Sequence, residues 1–213
     1  MSKLIFASLG TLGAGAAGVG GWIVFKSGQS KRIVTFKDKY SQALLDGKAD
    51  DTTWTKKYEE LKKTSPNHPK LREAFEKTKA SEDEARAKEL LKEGCSSLYS
   101  LSVEDSKHFS DFKSFCSKTN SDVSGDGKWI EEAISNNKNK WDASLESLQK
   151  YEGELNQELA NLKQGIQSNS GTFPEDKKTA LKNWCDSVKS SIFEGKDTVV
   201  FKNQESFCKE PAS

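Results

Sequence analysis

The sequence predicts an all-α protein: an N-terminal transmembrane helix followed by a helical body made of two related halves, each with a Cys pair. Three observations carry this. An uncharged apolar run opens the chain. The remainder combines high charge, scarce proline and apolar residues at helical spacing. Three short motifs then occur twice, in the same order.

The opening segment, residues 1–25, contains Leu4–Phe25, 22 residues without a charge. At about 1.5 Å per residue such a helix reaches roughly 33 Å, enough to cross a hydrocarbon core. Nine Leu, Ile, Val and Phe supply the drive and six glycines dilute it. A cleaved signal peptide competes with the anchor, since Lys3 precedes the run and Ala14-Gly15-Ala16 offers small residues for a peptidase. The apolar run continues past that point through Val19, Trp22, Ile23, Val24 and Phe25, and Trp22 suits an interface, which favours an uncleaved anchor. Rows of small residues such as Gly10/Ala14/Gly18 would let two anchors pack closely, so self-association stays open.

Residues 26–39 carry Lys26, Lys31, Arg32, Lys37 and Lys39 against Asp38 alone. They read as a juxtamembrane segment touching anionic headgroups, or as a solvated linker. The remainder holds 27 Lys and Arg against 31 Asp and Glu. No nucleic-acid partner is expected of it, because such a partner demands a concentrated basic face.

The body divides into a first helical unit, residues 40–118, and a second, residues 128–209. Trp54, Tyr58 and Leu61 share one helix face, as do Leu71 and Phe75. A helix is predicted from Ser81-Glu82-Asp83-Glu84 to about Tyr99, with acidic residues at its positive end. The strongest periodicity runs over 139–167, where Trp141, Leu145, Leu148, Leu155, Leu159, Leu162 and Ile166 form a heptad-like stripe. Gly153 and Gly165 weaken that helix by about 1 kcal/mol each relative to Ala. Pro174-Glu175-Asp176 opens a further helix with Thr172 as its expected cap. Breaks are predicted at 65–69, 124–127 and 168–171, and the only β-like run is the brief Thr198–Phe201.

The repeat rests on Trp54-x3-Tyr58-x2-Leu61 against Trp141-x3-Leu145-x2-Leu148, on the surroundings of Cys95 against those of Cys185, and on Phe112-Lys-Ser-Phe-Cys116 against Phe201-Lys202 with Ser206-Phe207-Cys208. Trp to first Cys spans 41 and 44 residues, and first to second Cys 21 and 23. Three motifs in register are hard to reach by chance. Four cysteines allow three pairings. The duplication favours Cys95–Cys116 and Cys185–Cys208, with buried free thiols as the competing reading. Closing such loops would stabilise each half by roughly 3 kcal/mol.

Candidate chemistry is thin. Asp122, Ser124 and Asp126 ahead of Gly127 copy the first half of an EF-hand calcium loop. The twelfth position holds Ala133, and shifting the frame to Glu131 puts Asn120 where the leading Asp belongs. A Gly-rich turn between helices is therefore preferred for Asp122–Glu132. His68 and His108 show no ligand spacing with the cysteines, so no zinc site is expected. His108 reads as a surface or boundary residue, and a Cys116–His108 pair lacks any activating context. No phosphate-cradling glycine loop occurs, and no cofactor or catalytic residue is expected.

The opening MSKLIFASLGTLGAGAAGVGGW, Trp54-x3-Tyr58, DFKSFCSKTN (Asp111–Asn120), Gly127-Lys128-Trp129-Ile130 and LKNWCD (Leu181–Asp186) together resemble the paralogous families of uncharacterised proteins of haemotropic mycoplasmas. The resemblance covers nearly the whole chain and carries no assigned chemistry. It implies a wall-less parasite of red blood cells, display at the cell membrane with an extracellular body, antigenic variation, and host surface molecules or antibodies as partners. The basic stretch after the anchor supports the alternative, an intracellular membrane-attached scaffold.

Overall fold

Why the chain stops and turns where it does is visible in a computed structural model, which describes residues 32–80, 83–125, 127–166 and 172–210. The predicted anchor, residues 1–25, lies outside the described residues, as does most of the basic segment. Among the described residues no helix is long and apolar enough to cross a membrane. Ile33–Ser213 is one contiguous unit, divided from Met1–Arg32.

The described secondary structure is helical, with four isolated β-bridges. In chain order come α1 (Phe36–Lys39), a 3-10 turn (Ser41–Ala43), α2 (Asp51–Leu61), α3 (Pro69–Lys77), α4 (Glu84–Tyr99), α5 (Ser106–Asp111) and a π turn (Phe112–Cys116). Then follow α6 (Asn120–Val123), α7 (Lys140–Lys150), α8 (Gln157–Gln164), α9 (Glu175–Lys189) and α10 (Val199–Phe207). The five helices of the second series correspond to α1, α2, α3, α4 and, for α10, to α5 with the π turn together; the Ser41–Ala43 turn has no helical counterpart.

The bonds between elements correspond as well. Thr35 and Thr119 each cap the short helix that follows, receiving the N–H of Asp38 or Asp122 while that carboxylate accepts the Thr N–H. Thr35 bridges Ser102, seven residues past Cys95; Thr119 bridges Ile192, seven past Cys185. The Phe36 N–H donates to the Leu101 carbonyl at 3.1 Å, and the Asn120 N–H to the Ser191 carbonyl at 3.0 Å. Just past each second cysteine, Ser117 bridges Leu44 and Lys209 bridges Trp129. Even the tryptophans agree: indole Nε1 of Trp54 donates to the Asp46 carbonyl at 2.7 Å, and that of Trp141 to the Glu132 carbonyl at 2.8 Å. These equivalences run back to Thr35 and Thr119, so the second repeat begins where the first ends, at Lys118.

Each repeat closes one cysteine pair at disulfide distance, Cys95–Cys116 with sulfurs 1.97 Å apart and Cys185–Cys208 with sulfurs 2.04 Å apart. Each also has its own core, one centred on Phe36, Trp54, Leu91 and Phe112, the other on Trp141, Leu145, Leu181 and Phe207. Phe193 and Phe201 of the second repeat are buried in the first core, with Val123 and Ile192 packed against it. Gly195 serves this seam. Its φ is +127°, and a Cβ there would lie 2.9 Å from the Gln42 side chain of the first repeat.

Three local expectations are corrected. The 139–167 stripe is two helices, because Tyr151 turns extended and Asn156 starts afresh by accepting the Leu159 N–H at 3.1 Å. Asn203 holds the break open, donating to the Glu154 carbonyl and accepting the Asn156 N–H, both at 2.9 Å. Thr198–Phe201 is helical, with the Thr198 hydroxyl capping α10 through the Phe201 N–H. Pro174, not Thr172, occupies the cap position of α9.

The second core contains an ion pair with no exposed side-chain surface, Lys178 Nζ to Asp142 Oδ2 at 2.9 Å. All three Lys178 N–H donors are used, and Asp142 has two partners besides the ammonium. Asp142 accepts the N–H groups of Phe173 and Asn139, both at 2.7 Å, and Lys178 donates to the carbonyls of Ser135 and Asn137, both at 3.0 Å. Lys178→Met strands the carboxylate, and a loss of about 3–5 kcal/mol is expected in chemical denaturation. Replacing Cys185 and Cys208 together by Ser should cost roughly 3 kcal/mol by the same measurement.

Candidate functional site

Helix α5 places two different features on either side of itself. On one side His108 meets His68, the residue preceding Pro69 at the start of α3, with ring centroids 5.4 Å apart at 71°. The two histidines of the chain, 40 residues apart in sequence, are neighbours in space. Asp111, one turn on from His108, explains why: its Oδ2 accepts the backbone N–H of Asn67 at 2.8 Å and of His68 at 2.6 Å. Asp111 thus does for the α2–α3 connection what Asn203 does for that between α7 and α8. In the second repeat the cap residue is Asn156, which satisfies its own helix. In the first it is His68, which makes no side-chain cap.

Both imidazoles keep Nδ1 buried and without a hydrogen-bond partner, and His68 is only 7% exposed. Burial, and then the neighbouring His108, hold His68 below its ordinary pKa of 6.5; Lys70 adds to this and Asp111 opposes it. Asp105 lies 3.7 Å from His108 Nε2. Among the described residues no group of three or more His, Cys, Asp or Glu is placed to hold a metal ion. A Cys116–His108 nucleophile is not assembled, since the Cys116 sulfur is paired with Cys95.

The other side of α5 faces the seam between repeats. Here Tyr40, Phe109 and Lys113 of the first repeat and Ile192, Glu194 and Val200 of the second line an open groove of about 340 Å³. Its walls are aromatic and aliphatic, with an exposed cation and an exposed anion, Lys113 and Glu194. Asn120, also at the groove, is committed to the fold through its side-chain amide, which donates to the Val188 carbonyl at 3.0 Å.

The Asp122–Glu132 loop is used structurally in its described part. Asp122 caps α6 and pairs with Lys56 at 3.2 Å, and burial, which raises its pKa, is outweighed by the Thr119 hydrogen bonds and Lys57. The Ser124 hydroxyl donates to Glu205, which also accepts the Gly125 N–H at 3.1 Å. The two oxygens that a calcium loop would aim inward are thus turned to different partners. Asp126 lies outside the described residues.

The histidine contact escaped sequence reasoning because it depends on α3 and α5 meeting across the first core. The groove escaped it because it exists only between repeats. No protein-family model, curated protein or solved structure matches the chain.

Because folded His68 takes up a proton less readily than it does in the unfolded chain, folding is favoured fully above pH 6.5 and less so as pH falls below it. Thermal melts from pH 8 to pH 5 should show the midpoint dropping below that value, and His68→Asn should flatten the decline. An unchanged decline in that variant would remove His68 as its source.

Proposed function

We infer that the chain is a membrane-anchored helical protein, single-pass, that displays its two-repeat body outside the cell and works through its exterior rather than by catalysis. The observation that carries this reading is the pair of cysteine bridges, one within each repeat. Disulfides persist in oxidising spaces and are rare where glutathione and thioredoxin keep thiols reduced. One bridge ties α4 to the π turn and the other ties α9 to the end of α10, so a body of only two small cores gains most where reduction is absent.

The resemblance to the haemotropic mycoplasma families supports host contact or antigenic variation as the task, with host surface molecules or antibodies as partners. A display role asks for a stable scaffold with a variable exterior. Independent cores, capped helices and a seam closed by Phe193 and Phe201 supply the scaffold.

A second reading, an intracellular membrane-attached scaffold, is favoured by the basic residues 26–39, which the positive-inside bias draws to the cytoplasm. Protease treatment of intact cells separates the two. Display predicts that the body is cut without lysis, and that mass mapping under non-reducing conditions finds no free thiol. A body protected until lysis and carrying four free thiols would sink the display reading and leave the scaffold.

A further inference from the structure

The repeats differ at one surface. Three large hydrophobic residues are exposed among the described residues: Ile33 (67%), Val34 (45%) and Phe109 (36%). Phe109 lies in the first repeat, and Ile33 and Val34 immediately precede it. Counting from the capping threonines, Ile33 and Val34 correspond to Ser117 and Lys118. Counting back from the second cysteine of each pair, Phe109 corresponds to Phe201. Those counterparts are the places where the first repeat covers the second: Ser117 is wholly buried, the half-buried Lys118 donates its N–H to the Ala43 carbonyl at 2.8 Å, and Phe201 packs into the first core. The bare residues therefore mark a face that is covered at the second repeat and exposed at the first. Repeat arrays are soluble only when an exposed end is capped or otherwise covered.

Seven residues, 26–32, separate Ile33 from the uncharged run Leu4–Phe25, and fully extended they span at most roughly 25 Å. They carry Lys26, Lys31 and Arg32. The face itself also differs from its covered counterpart in charge. Val123, packed against the first core, is replaced at the equivalent position by exposed Lys39, and Ser121 by exposed Lys37. Asp38 between them is spent on capping Thr35. Apolar side chains beside exposed lysines suit a headgroup layer better than another protein core.

We propose that this face, with Ile33, Val34 and Phe109 at its apolar centre and Lys37 and Lys39 beside them, rests on an anionic lipid surface. The inference rests on the reading that Leu4–Phe25 enters a membrane. It adds that the body is seated on that membrane through Phe109 of the first repeat and the residues just before that repeat.

The test uses the full chain reconstituted in vesicles of phosphatidylcholine and phosphatidylglycerol. Because the native cysteines are paired, Val34→Cys, Phe109→Cys and, as a control in the second repeat, Lys150→Cys each accept one fluorescent label. A nitroxide carried on the lipid acyl chain should quench the labels at 34 and 109 several-fold more than the label at 150. Replacing Lys37 and Lys39 by Gln, or omitting phosphatidylglycerol, should reduce that difference. Labels at 34 and 109 reached only by aqueous iodide would overturn the seating while leaving the anchor intact. Labels shielded from both quenchers would assign the face to a second copy of the chain instead. Protein that stays off the vesicles altogether would overturn the anchor reading together with this one.

Discussion

Three residues, Ser117, Lys118 and Thr119, hold the described structure together. Cys116 immediately before them is tied to Cys95, so their position is set by the first repeat. Ser117 bridges Leu44 and the Lys118 N–H reaches the Ala43 carbonyl at 2.8 Å, which closes that repeat on its own beginning. The Lys118 carbonyl then accepts the Phe193 N–H at 3.0 Å, and Thr119 bridges Ile192. The chain has no linker between repeats because the closing bonds of one and the opening bonds of the next occupy adjacent peptide groups. Backbone groups left unpaired in so buried a place would each carry a desolvation cost, so the join is an obligatory feature of packing two repeats this closely.

Around that join the repeats have specialised. The first pairs α3 tightly with α4, where a Cβ on Gly94 would lie 2.6 Å from the Leu71 side chain. It also uses Tyr99, whose hydroxyl donates to the Cys116 carbonyl at 2.8 Å and accepts the Leu45 N–H at 3.2 Å. Burial pushes that phenol up to about 12, so it remains a donor throughout the accessible pH range. The second repeat has no such tyrosine at its core and relies instead on the Lys178–Asp142 pair. A neutral hydrogen bond and a buried charge pair are two solutions to anchoring the same tryptophan-led helix and bridged hairpin. Their pH responses differ: buried His68 weakens the first repeat as pH falls below 6.5, whereas the lowered Asp142 carboxyl weakens the second only in stronger acid.

Much of the architecture was legible in sequence. Helix faces such as Trp54-Tyr58-Leu61 and the end of α4 at Tyr99 follow from spacing alone, and the duplication follows from three motifs in order. The misreadings have a common origin. The 139–167 stripe looks continuous because Leu155, Leu159 and Leu162 keep the spacing of the preceding turns. What breaks it is Asn203, 47 residues downstream of Asn156, which no window of local periodicity contains. Thr198–Phe201 reads as strand from β-branched residues, yet the Thr198 hydroxyl starts a helix there. The candidate site was illegible for the same reason. His68 and His108 meet through Asp111, whose carboxylate is committed to backbone 44 residues away, and the groove needs both repeats to have walls.

A join built from adjacent peptide groups also has a genetic consequence. Each repeat begins at a threonine that caps its own helix and ends two residues after a cysteine, in the same bond pattern. A gene segment covering one repeat, inserted between codons 118 and 119, would find on both sides the partners its ends require. Unequal recombination can therefore lengthen or exchange such a chain without inventing a loop. The seam is thus the position at which an added repeat would meet the backbone partners that its ends use here.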